Sequence, residues 1–107
     1  MKLGIILQTN KPERVWNTFR LGITALKSGH TVKIFLMNEG SEIDSIADSK
    51  NFDISAKVTE FKKLNGEIYA CGTCLKSRGK EKSNICPIST MDDLLKMIES
   101  SDKILVF

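Results

Sequence analysis

Long apolar runs are missing from this 107-residue chain. No stretch approaches the roughly 20 residues that a membrane-spanning helix needs. The opening Met1-Lys2-Leu3-Gly4-Ile5-Ile6-Leu7 gives way at once to Gln8-Thr9-Asn10, which is too short an apolar segment for a secretory signal. No lipidation motif stands out. These features predict a cytoplasmic protein without membrane contact. Aromatic residues make up only 7% and the formal charge is +3, so the basic stripe with interleaved rings that nucleic acid calls for is absent. No nucleic-acid partner is expected. Histidine occurs once, as His30, which argues against a Cys–His nucleophile pair. Phosphate-binding glycines are missing too: Gln8-Thr9-Asn10-Lys11-Pro12-Glu13 follows the first apolar run, with neither Gly-x-Gly-x-x-Gly nor Gly-Lys-Ser/Thr anywhere. A flavin or dinucleotide is disfavoured, and no cofactor is expected.

What is present reads as one soluble domain over 1–107, with 41% hydrophobic and 27% charged residues. Residues 2–8 form a continuous apolar run, the pattern of a strand buried on both faces. Pro12-Glu13 opens a helix whose apolar face carries Val15, Trp16, Phe19, Gly22, Ile23 and Leu26, with Gly29 as its stop. Thr31–Met37 is a second strand. Ile43 and Ile46 suggest a short helical turn, and residues 54–64 a longer helix. Glu67–Cys71 is a third strand, followed by a lysine-rich polar loop over about 76–84. Thr90 and Asp93 have capping-box spacing at the head of a last helix, with Met91, Leu94, Leu95 and Ile98 as its expected buried face. Lys103–Phe107 is the final strand. This alternation predicts an α/β fold, a three-layer α/β/α sandwich around a mostly parallel, flavodoxin-like sheet of order 2-1-3-4. Asn10, Asn38, Glu39 and Cys71 then fall at strand C-terminal ends, where open α/β sheets bind ligands. Glu39 and Asp44 read as solvated loop charges.

Three cysteines lie between positions 71 and 86, an odd and clustered set that does not suit a disulfide framework. Cys71 closes a strand, and Gly72-Thr73 turn the chain toward a short helix. Free N–H groups there, with Lys76, Arg78, Lys80 and Lys82 downstream, predict a depressed thiol pKa. Three other readings compete. Buried structural thiols are common, but Gly-Thr between Cys71 and Cys74 and the cations after them make a poor core segment. The Cys-x-x-Cys spacing fits a thioredoxin-type pair, although that motif comes early in its fold and this one follows the third strand. Zinc would have three thiolates, including Cys86, where a structural site uses four ligands. His30 opens the second strand, roughly 20 Å from strand-end cysteines at the usual rise. No metal site is expected.

The runs Ala70-Cys71-Gly72-Thr73-Cys74-Leu75-Lys76-Ser77-Arg78-Gly79 and Cys86-Pro87-Ile88-Ser89-Thr90-Met91-Asp92-Asp93-Leu94 resemble the DsrE/DsrF-like family. So do the opening strand, the helix with Trp16 and Phe19, and residues 29–37. The resemblance implies a three-layer fold, homo-oligomers from dimer to hexamer, and sulfur relay between donor and acceptor proteins. In relay members one cysteine, at a strand end ahead of a short helix, carries a persulfide. Cys71 holds that position, with Arg78-Gly79 downstream as in those members. Cys74 departs from the single-cysteine pattern. The expected function is therefore sulfur transfer through a Cys71 persulfide, with Cys74 or Cys86 able to resolve it. Asn10, Asn38, Gly72, Thr73 and Arg78 are the candidate substrate-binding residues. The rival expectation is an oligomeric scaffold or small-ligand binding protein with structural or redox cysteines.

Overall fold

The apolar runs become parallel strands in the computed structural model, which describes residues 1–80, 83 and 85–107. The strands are β1 (Lys2–Leu7), β2 (Thr31–Leu36), β3 (Glu67–Cys71), β4 (Ile88–Ser89) and β5 (Lys103–Val106). The helices are α1 (Pro12–Lys27), α2 (Ile54–Lys63), α3 (Gly72–Ser77) and α4 (Met91–Ser100), with a 3-10 helix at Asn38–Ser45. Local chemistry explains their limits. Pro12 stands in the first turn of α1, where its missing N–H costs nothing. Asp53 accepts the Ala56 N–H at the head of α2. Thr90 and Asp93 form the expected reciprocal capping box on α4.

Side chains alternate across the sheet, as strand geometry requires. Leu3, Ile5, Leu7, Val32, Ile34, Leu36, Ile68 and Ala70 meet α1 and α2 through Val15, Phe19, Ile23, Val58 and Phe61. Phe19 and Phe61 touch edge to face, 5.4 Å between centroids, so the two helices share one layer. Each such fully buried ring or aliphatic chain contributes about 1.5–3 kcal/mol. On the other face Phe35 and Cys71 pack against Leu94 and Met97 of α4.

The strand order is β4-β3-β2-β1-β5, all parallel. The four strands expected from sequence therefore run 3-2-1-4, not 2-1-3-4. A right-handed crossover fixes the direction of travel by the face its helix occupies. Because α2 joins α1 on one face, β3 is laid outside β2. Only α4, on the opposite face, carries the chain back to the far side of β1. Apolar periodicity shows that a helix has a buried side, but not which sheet face receives it. The fifth strand, β4, is two residues long and was not expected.

The last helix also sits differently from its expected orientation. Leu94 and Met97 are its buried residues, whereas Met91, Leu95 and Ile98 are 53%, 55% and 39% exposed. At i, i+4 and i+7 these three line a second apolar stripe, directed away from the sheet. Among the described residues no helix is long and apolar enough to cross a membrane.

Candidate functional site at the strand ends

Cys71 is the last residue of β3 and the N-terminal boundary residue of α3. Its side chain points to the α4 face, where Phe35, Leu94 and Met97 leave it 2% exposed. That burial pushes the thiol pKa up. The N–H groups of Cys74 and Thr73 act the other way without outweighing it, and contact with the Cys74 thiol raises it further. The depressed thiol expected from sequence is thus not found. Helix α3 has only six residues, and desolvation of the sulfur outweighs its N–H groups.

Two of the four expected cations are engaged by carboxylates. Arg78 Nε lies 3.2 Å from Glu42 Oε1, and its Nη1 donates to the Cys74 carbonyl at 3.1 Å. Lys80 Nζ lies 3.3 Å from Asp44 Oδ1 and donates to Ser45 Oγ. Asp44, read from sequence as a solvated charge, has a side chain only 10% exposed. Glu39 is exposed. Lys76 is exposed on α3, and Lys82 lies outside the described residues.

Cys74 stands one turn beyond Cys71 and is half-buried. Its Sγ accepts the backbone N–H of Asn38 at 3.3 Å. Asn38 achieves this from a left-handed conformation, φ +53°, which asparagine tolerates better than most residues. Its side-chain Nδ2 donates to Gln8 Oε1 at 2.9 Å, and its carbonyl accepts the Ser41 hydroxyl at 2.8 Å. Gly40, the next residue but one, lies against the end of β1, where an added Cβ would strike the Leu7 carbonyl. Asn10 Nδ2 donates to Glu42 Oε2 at 3.5 Å. The ends of β1, β2 and β3 are therefore stitched together around the cysteine pair.

Of the candidate residues, the structure brings together Cys71, Gly72, Thr73, Cys74, Asn38, Arg78 and, through Glu42, Asn10. Thr73 is exposed, and Gly72 is held close beneath Ile88. Cys86 is not in this group. It packs with the α1/α2 core on the opposite side of the sheet, its thiol 3.7 Å from Ser83 Oγ, and burial raises its pKa. His30 lies at the other end of the sheet, with Nδ1 2.9 Å from the Met1 amino group. Among the described residues no three His, Cys, Asp or Glu side chains gather as a metal set.

Sequence reading missed Gln8, Gly40 and Glu42. Gln8 directly follows β1, so strand-end position alone could have found it. Glu42 gives no local signal, because its role depends on how the 3-10 helix folds back over α3. A cleft of about 470 Å³ opens on the α4 face between Lys33, Tyr69, Ile88 and Lys96. Phe35 and Met97, which bury Cys71, also line that cleft.

Fold and site together define an open parallel α/β protein with a dithiol at the carboxyl edge of its sheet. The chain belongs to the DsrE/DsrF-like family, whose model matches residues 1–107. It is 30% identical to the uncharacterized protein MK0008 of Methanopyrus kandleri, over 89% of this chain and 83% of that protein. It is 28% identical to the uncharacterized protein MJ0989 of Methanocaldococcus jannaschii over the whole of both. The crystal structure of the ychN protein from E. coli superposes with a TM-score of 0.83 at 23% identity, covering 100% of both chains. The Bacteroides thetaiotaomicron protein BT1422, of unknown function, gives 0.78 at 18% identity, over 99% of this chain and 94% of that one. These two structural likenesses concern the fold.

Proposed function

We propose that this chain is a cytoplasmic sulfur-relay protein, holding sulfane sulfur as a persulfide on Cys71 and yielding it to an acceptor thiol. One observation carries the reading. Cys71 ends a strand at the C-terminal edge of the sheet, where open α/β folds bind ligands, at the N-terminal boundary of α3 and with a second thiol one turn away. Membership of the DsrE/DsrF-like family supports it. In the reaction, a thiolate attacks the outer sulfur of a donor persulfide and the donor leaves as its thiolate. Free N–H groups in the first turn of α3 favour an anionic sulfur there. Burial by Phe35, Leu94 and Met97 shields it from stray thiols.

The rival reading, a scaffold with structural cysteines, is favoured by that same burial and by the raised Cys71 thiol. Mass spectrometry after incubation with inorganic polysulfide separates the two. Sulfur relay gives an added 32-Da sulfur on Cys71 (roughly one sulfane atom), and its absence there sinks the proposal. The stripe of Met91, Leu95 and Ile98 supports the further reading that copies of this chain assemble through α4.

A further inference from the structure

We infer that sulfane sulfur is taken up at Cys74 and passed inward to Cys71. This deepens the sulfur-relay reading and rests on it. A donor protein must bring its persulfide into line with the attacking sulfur, and Cys71, 2% exposed beneath Phe35, Leu94 and Met97, gives no approach. Cys74 is half-buried, beside the exposed residues Thr73 and Asn38. It is also held from a separate element, since Asn38 at the end of β2 donates its N–H to Cys74 Sγ at 3.3 Å. That donor faces the sulfur that must first attack and later leave. Cys74 stands one helical turn after Cys71 and packs in the same Phe35–Leu94–Met97 cluster, so a sulfur placed on one lies near the other. Of the two, the second cysteine is the more exposed.

The transfer has two balanced displacements. Cys74 thiolate attacks the terminal sulfur of the donor R–S–SH. A Cys74 S–S bond forms, the donor S–S bond breaks, and RS⁻ leaves with its electron pair. Cys71 then attacks the outer sulfur of Cys74–S–SH. A Cys71 S–S bond forms, the Cys74 S–S bond breaks, and the proton that Cys71 releases goes to the departing Cys74 sulfur. Release runs the same displacements in reverse: Cys74 retakes the outer sulfur from Cys71, and the acceptor thiolate then attacks it on Cys74, so no external oxidant or reductant is consumed.

The test follows site-resolved persulfide by rapid alkylation and mass spectrometry after mixing full-length protein with sodium tetrasulfide. In wild type, added sulfur is expected on Cys74 first and on Cys71 later. In Cys74→Ser, loading of Cys71 should slow at least about tenfold, the loss of the accessible thiolate. Serine keeps an acceptor for the Asn38 N–H, so the local fold has its tie. In Cys71→Ser the sulfur should remain on Cys74. Untreated wild type should also alkylate at Cys74 before Cys71. Loading of Cys71 in Cys74→Ser at the wild-type rate overturns the intake role of Cys74 and leaves the relay reading standing. Closure of a Cys71–Cys74 disulfide with hydrosulfide release overturns inward transfer. Absence of added sulfur on every variant overturns the relay reading, and this inference with it.

Discussion

The backbone N–H of Asn38 points at the sulfur of Cys74 across 3.3 Å, joining the end of β2 to the first turn of α3. The contact depends on a left-handed residue at position 38. Asn38→Gly keeps both the N–H and the backbone conformation, losing only the bond to Gln8. Asn38→Ala must adopt the same φ with a Cβ that resists it, at about 1–2 kcal/mol. Urea denaturation should therefore rank Asn38→Gly above Asn38→Ala in stability. Equal stability of the two would show that the conformation is not under strain.

Gly40 answers to space instead. A methyl group there meets the Leu7 carbonyl, a backbone atom that cannot swing aside. Gly40→Ala should lose about 1–3 kcal/mol, the usual range for overpacking. Because the displaced 3-10 helix carries Asn38, the alkylation rate of Cys74 should change as well. Comparison of melting temperature and labelling rate checks both effects.

Raised thiol pKa values give a definite sign to the alkaline behaviour. Cys71 and Cys86 are harder to ionise folded than unfolded, so the unfolded chain loses their protons first. Stability contributed by the neutral thiols is intact below the ordinary thiol value, about 8.5, and declines as pH rises above it. Cys71→Ala with Cys86→Ala should flatten the fall in unfolding free energy between pH 8 and 10 (a window set by the ordinary value of about 8.5). An unchanged slope in the double variant would assign the fall to other groups.

The Arg78–Glu42 pair is partly solvated, with side chains 25% and 31% exposed. Solvent screening limits what it contributes. Glu42→Gln should cost about 1 kcal/mol or less, and added salt should reduce the difference from wild type. A loss of several kcal/mol in a denaturation series would place this pair among the buried determinants of the fold.

Outward residues of α4 bear on assembly. Leu95→Glu places a charge in the Met91–Leu95–Ile98 stripe without touching Leu94 or Met97. Sedimentation should show wild-type oligomers and a shift of this variant toward monomer. Identical distributions would remove the stripe from consideration as a contact between copies.

Much of this architecture is written in short-range patterns. The apolar runs, Pro12, the Thr90–Asp93 box and the position of Cys71 at a strand end all depend on neighbours within a few residues. What escaped depends on distant partners. The strand order turns on whether α2 lies beside α1, a matter decided by Phe19 and Phe61 meeting across 42 positions of chain. The facing of α4 was ambiguous because Leu94–Met97 and Met91–Leu95–Ile98 are both helical stripes. The Cys71 pKa was misread for a similar reason: its N–H donors are adjacent in sequence, while Phe35 and Met97, which desolvate it, are not. Cys86 looked close to Cys71 along the chain, yet the sheet lies between them.

The three layers give the chain extents of 37 × 37 × 20 Å, the short one matching two layer spacings of about 10 Å each. The molecule is a tile, with the cysteine pair at its rim and the α4 stripe on a broad side. Tiles that meet broadside leave their rims uncovered. In the proposed relay, a donor docked at the rim and copies stacked through α4 would therefore use different parts of the surface, and neither would displace the other.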